Sequence, residues 1–354
     1  MFRKHSTLLM TVLAATTALA LAGCGSAAVD AVVAPVDDAA GLQWEVPDNL
    51  EGSLTLYSAN PQGLTDNLIA AFTEATGVEV NVFAGTTGKI TAKLDAEWGN
   101  PQADVVYLAS WAPAATYAAD GLTLGYQPFG YDTVRPDWVG EGNSFIGRDG
   151  SALALVVNTD VAPETPTDWA DLTDPIYKDQ IIMPDPRESG TARDLIAAMV
   201  IEGGEEQTWE LFDALFANGL VVQGANGPAL DDVTAGSHAV VLGGVDYSAY
   251  SAIAKGEPLE VIMPSSGTTI SPRPVFILDS TPNPDAAKAL LDFFFSAEGQ
   301  ALSASANMIP AQSEIAVADG TRTYDEVTQL DFTWDEIEQS SATILEQFTA
   351  KYLG

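Results

Sequence analysis

Cysteine is nearly absent from this chain: a single residue, Cys24, among 354. One thiol makes no internal disulfide, so an exported domain of this sequence must stand on its packed core. Histidine is almost as scarce, with His5 and His238 the only two. No His/Cys cluster with metal-ligand spacing exists, no Gly-x-Ser-x-Gly turn occurs, and the Gly-x4-Gly-Lys-Ser/Thr phosphate loop is missing. Carboxylate pairs abound, but in a chain with 49 acids their presence singles out nothing. Enzyme chemistry finds little support, and no cofactor is expected. Basic residues are few as well, 14 Lys and Arg, giving a net charge of −35. Nucleic acid and anionic lipid surfaces both need concentrated Lys and Arg, so neither is expected as a partner. Acidity of this degree suits solubility at a crowded or salty surface, with a trap for cations as the other reading. An anionic ligand would have to be held by backbone dipoles and hydroxyls more than by bulk charge.

What is present begins with an address. Arg3, Lys4 and His5 precede an apolar run from Leu8 to Leu21, too short to span a bilayer and ending in small residues. Residues 1–23 therefore read as a secretory signal. Losing Arg3 and Lys4 with it, and no acid, takes the net charge from −35 to −37. The run closes on Leu21-Ala-Gly-Cys24, which resembles the lipobox of bacterial lipoproteins. The resemblance implies lipidation of Cys24 and anchorage at the outer face of the cell membrane. Residues 24–50 show neither helical nor strand period and read as a flexible tether.

About 300 residues remain, enough for two lobes. Residues 54–58, 78–85 and 103–110 are apolar, β-branched runs that read as buried strands. Between them, Leu64, Leu68 and Phe72, then Ile90 and Leu94, recur as one apolar helix face does. Strand-helix-strand-helix-strand in so short a span means a parallel sheet with right-handed crossovers. Such sheets bind ligands at the carboxyl ends of their strands. Here those ends are Ser58-Ala-Asn60, Gly85-Thr86-Thr87-Gly88 and Ser110-Trp111, small, hydroxylated or aromatic and without charge.

Residues 113–121 read as a third helix and 122–150 as a surface excursion carrying Phe129, Tyr131, Trp138 and Phe145. Residues 152–158 are a buried strand crossing to the second lobe. That lobe repeats the α/β pattern: strands at 180–184, 220–223, 239–245 and 259–263, helices from Ser189 to about Glu202, at 207–219, 228–235 and 247–255. Residues 273–278 would pair with 152–158 as the returning crossover, giving a two-strand hinge. Helices at 284–297 and 334–353 close the chain. The expected division is 51–155 plus 273–354 for lobe 1 and 156–272 for lobe 2.

The best candidate for an anion site is Ser189-Gly190-Thr191-Ala192, an N-cap serine and a glycine that leave backbone N–H groups bare at the positive end of a helix, the other reading being a helix cap that holds no ligand. Thr86-Thr87-Gly88 is its counterpart in lobe 1. Two helix starts across a cleft hold one anion from both sides and turn binding into closure. Tyr247 and Tyr250, one turn apart, line a pocket, ligate a hard cation as phenolates, or pack at the lobe edge. Asp246 receives an ammonium group or caps its helix. Trp111 walls the cleft or packs in the core.

Several stretches in fixed order resemble the extracellular solute-binding proteins of ABC importers. They are Leu54-Thr-Leu-Tyr-Ser58, residues 72–80, Ala103-Asp-Val-Val, Ser189-Gly-Thr-Ala192, Gly244-Val-Asp-Tyr-Ser-Ala-Tyr250, Gly267-Thr-Thr-Ile-Ser-Pro272 and residues 283–300. The branch that resembles the chain best includes binders of ferric iron, sugar phosphates and 2-aminoethylphosphonate. The resemblance implies an α/β, two-lobed type II periplasmic-binding-protein fold, each lobe a mostly parallel sheet flanked by helices. It further implies delivery of a small-molecule ligand to a permease and ATPase complex. A monomer is expected. Ferric binders of this branch place two adjacent tyrosines at the second-lobe helix start, whereas Ser248-Ala249 separates Tyr247 from Tyr250 here. A small phosphorylated or phosphonate compound is therefore preferred. Ferric iron through Tyr247 and Tyr250 is the alternative within the class, and a surface hydrolase or a purely structural surface protein the alternatives outside it.

Overall fold

A computed structural model of the protein describes residues 42–354, so the signal segment, Cys24 and the tether up to residue 41 lie outside the described residues. Within the stretch expected to be a tether, residues 45–49 are exposed, but Leu42 and Trp44 pack on the body of the protein. Leu42 is buried beside Ala297, Ala304 and Ile315, and its carbonyl accepts the Ala297 N–H at 2.9 Å. Trp44 stacks on Phe72 with ring centroids 6.3 Å apart.

Lobe 1 starts with β1 (Ser53–Ser58), α1 (Gln62–Thr76), β2 (Glu79–Ala84), α2 (Thr87–Ala96), β3 (Val105–Tyr107) and α3 (Trp111–Ala119). The strands run parallel in the order β2-β1-β3. Leu64, Leu68 and Phe72 of α1 and Ile90 and Leu94 of α2 are buried, the faces that the sequence spacing picks out. Gly77 ends α1 in the left-handed region, φ 75°, where a side chain is strained.

After β4 (Thr123–Leu124) and three short 3₁₀ turns, β5 (Ile146–Asn158) runs through both lobes. It is thirteen residues long and buried throughout, beginning six residues before the expected strand. The excursion before it lies largely at the surface, with a few side chains turned inward. Trp138 and Phe145 are buried, and the Trp138 ring lies where a Cβ on Gly150 would meet it at 2.6 Å. Arg148 and Asp149, which argue for a loop by their charge, form a fully buried ion pair at 2.6 Å. Tyr107 and Ser303 hydroxyls donate to Asp149, and Arg148 donates to the Gly299 carbonyl. A buried pair survives only when its remaining donors and acceptors are met in this way.

Lobe 2 follows with β6 (Ile181–Met183), α4 (Gly190–Ala217), β7 (Val221–Val222), α5 (Asn226–Thr234), β8 (Val240–Val245), α6 (Asp246–Ile253) and β9 (Leu259–Ile262). α4 comprises two helical segments joined at Gly204, whose φ of 78° breaks the helix. β6, β7 and β8 are parallel, and β5 pairs antiparallel with β8 and β9. The chain returns along β10 (Ile270–Leu278), then α7 (Pro284–Phe294), α8 (Ala297–Ser305), β11 (Ile309–Pro310) and α9 (Trp334–Phe348).

The two long strands form the hinge in a register different from the expected one. β10 pairs antiparallel with residues 146–152 of β5, Ile270 opposite Ala152 and Val275 opposite Ile146. Residues 153–158 are taken by β8 and β9, and residues 275–277 also pair with β3. Antiparallel strands that share one crossing run past each other, so only the first half of each apolar run meets the other. α9, expected with lobe 1, also reaches lobe 2. Its Trp334 lies 5.5 Å from Trp111 of α3, while Phe348 packs edge-on against Phe212 of α4 at 5.1 Å.

Candidate functional site

The site is built where strand ends and helix starts of both lobes meet. β1 ends at Ser58, whose buried hydroxyl bonds Thr65 at 3.0 Å and accepts the Asn60 N–H at 3.3 Å. Asn60 is fixed by its side-chain amide, which donates to the Tyr107 carbonyl at 2.9 Å. α2 starts beside it: Thr86 caps the helix by accepting the Lys89 N–H, and the buried Thr87 hydroxyl has no hydrogen-bond partner among the described residues. From lobe 2, Ser189 caps α4 by accepting the Ala192 N–H at 3.2 Å. Ser189 and Thr191 hydroxyls lie 3.1 Å apart, and the Asn226 side chain bonds both.

The two helix starts are in direct contact. The Gly88 N–H points to the Glu188 carbonyl at 3.4 Å, across the lobes. A Cβ on Gly190 would sit 2.7 Å from the Thr87 hydroxyl and 2.6 Å from Ser110 Cβ, so only glycine allows this approach. Ser110, at the end of β3, donates to Asp194 of α4 at 2.6 Å, and Ser271 of the hinge strand β10 donates to its other oxygen at 2.5 Å. Asp194 is fully buried, and burial pushes its carboxyl up to about 6 against the pull of these two hydroxyls, Arg193 and the Trp111 N–H.

Behind the strand ends lies a cation absent from the sequence-based set. Arg273 of β10 is 1 % exposed. It donates to Asn60 Oδ1 at 2.5 Å and to Ser151 at 3.4 Å, and its guanidinium carbon lies 4.8 Å from the Tyr247 ring centroid. Among the described residues it has no carboxylate within ion-pair distance, and its Nε has no partner.

The structure thus brings together Ser58, Asn60, Thr86, Thr87, Gly88, Ser110, Ser189, Gly190 and Thr191, with Tyr247 reaching the same region through Arg273. Three expected residues turn elsewhere. The Trp111 ring packs edge-on against Phe145 at 4.7 Å and donates to Glu338 at 2.7 Å, away from the helix starts. Asp246 is occupied: Oδ1 accepts the Tyr247 N–H at 2.8 Å and the carboxylate also takes a backbone bond from Ala152. It is the first residue of α6, whose N-cap is Val245, and burial pushes its carboxyl up to about 7. Tyr250 has its hydroxyl pushed up to about 12 by burial and by the nearby Asp246, with Arg322 pulling the other way, whereas Tyr247 lies against Arg273. Among the described residues no three His, Cys, Asp or Glu side chains converge as a metal site.

Arg273, Asn226, Asp194 and Ser271 escaped the sequence reading. Arg273 left a signal, a lone cation inside an apolar strand of a chain poor in cations. Asp194, one acid among 49, left none.

Two α/β lobes joined by continuous strands meet helix start to helix start beside a buried cation. Residues 132–340 match the bacterial extracellular solute-binding proteins, more than half of the chain. The chain belongs to that family and is a solute-binding protein rather than an enzyme. An uncharacterized protein of Haemophilus influenzae is 30 % identical over 275 residues, 75 % of this chain and 79 % of the relative. Iron uptake protein A1 of Synechocystis is 26 % identical, covering 77 % of each chain. A putative 2-aminoethylphosphonate-binding periplasmic protein of Salmonella typhimurium is 24 % identical, covering 83 % of this chain and 90 % of the relative. The fold is that of the periplasmic binding protein AfuA from Actinobacillus pleuropneumoniae with exogenous fructose-6-phosphate bound. The TM-score is 0.79 at 24 % identity, covering 85 % of this chain and 98 % of that one.

Proposed function

We propose that the protein captures a small phosphorylated or phosphonate solute between its lobes and hands it to an ABC permease and ATPase complex. It does so as a monomer held at the outer face of the cell membrane by a lipid on Cys24. Arg273 carries this reading. A guanidinium buried with no carboxylate in direct contact, only the more distant Asp149 and Asp246, is costly, and an anion delivered to it offsets that cost. Thr87, whose hydroxyl has no partner among the described residues, and Thr191, whose hydroxyl accepts from Asn226, supply donors beside two helix N-termini, and these suit the oxygens of a tetrahedral anion. A trivalent cation gains nothing from Arg273 so close to Tyr247, which lowers ferric iron among the candidates. The phosphonate-binding relative and the sugar-phosphate-bound neighbour support the preference, and the iron-uptake relative keeps the alternative in view.

Calorimetry with 2-aminoethylphosphonate, fructose-6-phosphate and ferric citrate tests it. A phosphonate or phosphate ester should bind saturably, and Arg273→Gln should weaken it about 10- to 100-fold, as losing a charge-assisted hydrogen bond does. Tight binding of ferric iron alone, with a tyrosinate absorption band abolished by Tyr247→Phe, would overturn the ligand class. Turnover of the phosphate ester would overturn the binding reading itself.

A further inference from the structure

A cavity of about 280 Å³ lies outside the cleft contact, between the end of α2, α3, the first turn of α4 and α9. We propose that it is a second binding site, for a small zwitterion of amino-acid size with an ammonium at one end and an acid group at the other. The charges of its wall are separated. Arg193 of α4 lines it, and its only side-chain hydrogen bond among the described residues is from Nε to the Pro186 carbonyl at 3.4 Å. Asp95, Asp120 and Glu338 line it too, Glu338 accepting from the Trp111 indole, yet none lies within ion-pair distance of that guanidinium. One cation and three carboxylates share this cavity without pairing, so each sign is open to a ligand group of the opposite one, with the buried Asp194 behind Arg193 as its nearest internal counter-charge.

Two further observations point into the same space. The Ser341 hydroxyl of α9 lines the cavity, is 1 % exposed and has no partner among the described residues. A buried hydroxyl left unmade costs about as much as a lost hydrogen bond, and an acid group beside Arg193 would satisfy it. On the lobe 1 side, Trp98 keeps 44 % of its surface exposed and tilts over Tyr117 at 6.1 Å. The Tyr117 hydroxyl in turn donates to Asp95 at 3.0 Å, which orients that carboxylate. Aromatic faces beside a carboxylate hold an ammonium by charge and by cation–π attraction. Small-molecule pockets begin at roughly 300 Å³, so this volume suits a ligand no larger than an amino acid. Because Arg193 belongs to lobe 2 and Trp98 to lobe 1, a bound zwitterion bridges the lobes at a place separate from Arg273.

The test is thermal shift and calorimetry with the proteinogenic L-amino acids offered singly at millimolar concentration. At least one should bind the wild type and the Arg273→Gln variant alike, and Arg193→Gln should weaken it at least tenfold. Asp95→Asn should weaken it as well, from the ammonium end. Circular dichroism and a cooperative melt establish that Arg193→Gln is folded. Absence of binding by every amino acid overturns the proposal. So does binding that Arg193→Gln leaves intact, or that Arg273→Gln abolishes, since the latter places it in the cleft.

Discussion

Replacing Gly88 by alanine should separate folding from closure. Gly88 is the second residue of α2, and its backbone is in the ordinary helical region, so a methyl group is no strain to lobe 1 alone. Alanine is the better helix former by at most about 1 kcal/mol, which favours the folded lobe. The added Cβ, however, would sit 2.3 Å from the Arg187 carbonyl oxygen and 3.4 Å from Glu188 Cα, both backbone atoms of the opposite lobe. Backbone cannot rotate away as a side chain can, so the lobes must part by the better part of an ångström. Overpacking of this kind costs about 1–3 kcal/mol, and here the cost falls only on the closed form. Ligand affinity should therefore drop about 5- to 150-fold while the melting temperature of the ligand-free protein holds or rises. Gly63→Ala is the matched control: it occupies the same second position of α1, and nothing lies within 4 Å of its added Cβ. It should add helix stability and leave affinity alone. Calorimetry gives the affinities, and small-angle scattering reads the ligand-induced compaction, which Gly88→Ala should diminish. If Gly88→Ala bound and compacted as the wild type does, the contact between the two helix starts would not be the closed state.

Asp194 predicts a pH dependence. Its carboxyl is raised in the folded protein, so the protonated form contributes stability that is fully present below about pH 4 and lost as pH rises through about 6. Relative to Asp194→Asn, the wild type should lose up to about 3 kcal/mol across that window, measured by urea unfolding at stepped pH; parallel profiles would refute it. Trp111→Phe should cost about 1–3 kcal/mol of stability through lost packing on Phe145 and Trp334 and an unpaired Glu338, with ligand affinity unchanged. A tenfold loss of affinity at constant melting temperature would put the indole back in the cleft.

The β-α-β-α-β opening was legible because its periods are unmixed: Leu64, Leu68 and Phe72 read as helix, and residues 54–58 as strand. Ser189 and Thr86 were legible as helix starts because capping is a local event, decided within four residues. What escaped depends on partners far away in sequence. Arg148 and Asp149 belong in a strand only because Tyr107, Gly299 and Ser303 come to meet them, more than forty and more than a hundred and fifty residues off. Trp111 was expected at the cleft because it follows a strand end, but the side chain was claimed by Trp334, 223 positions later. Asp246 is held in part by a backbone amide of β5 that no local pattern reveals.

The last helix carries a mechanical consequence. α9 leans on α3 at one end and on α4 at the other, where Lys351 also reaches Asp213 and Tyr352 reaches the Trp209 carbonyl. The halves are therefore not two jaws swinging on a pair of threads; a splint lies across the joint. Any opening has to slide one bearing surface of that splint, and aromatic packing resists sliding more than it resists a small tilt. The splint is fixed at both ends by aromatic packing, Phe348 on α4 and Trp334 on the Trp111 that follows Ser110.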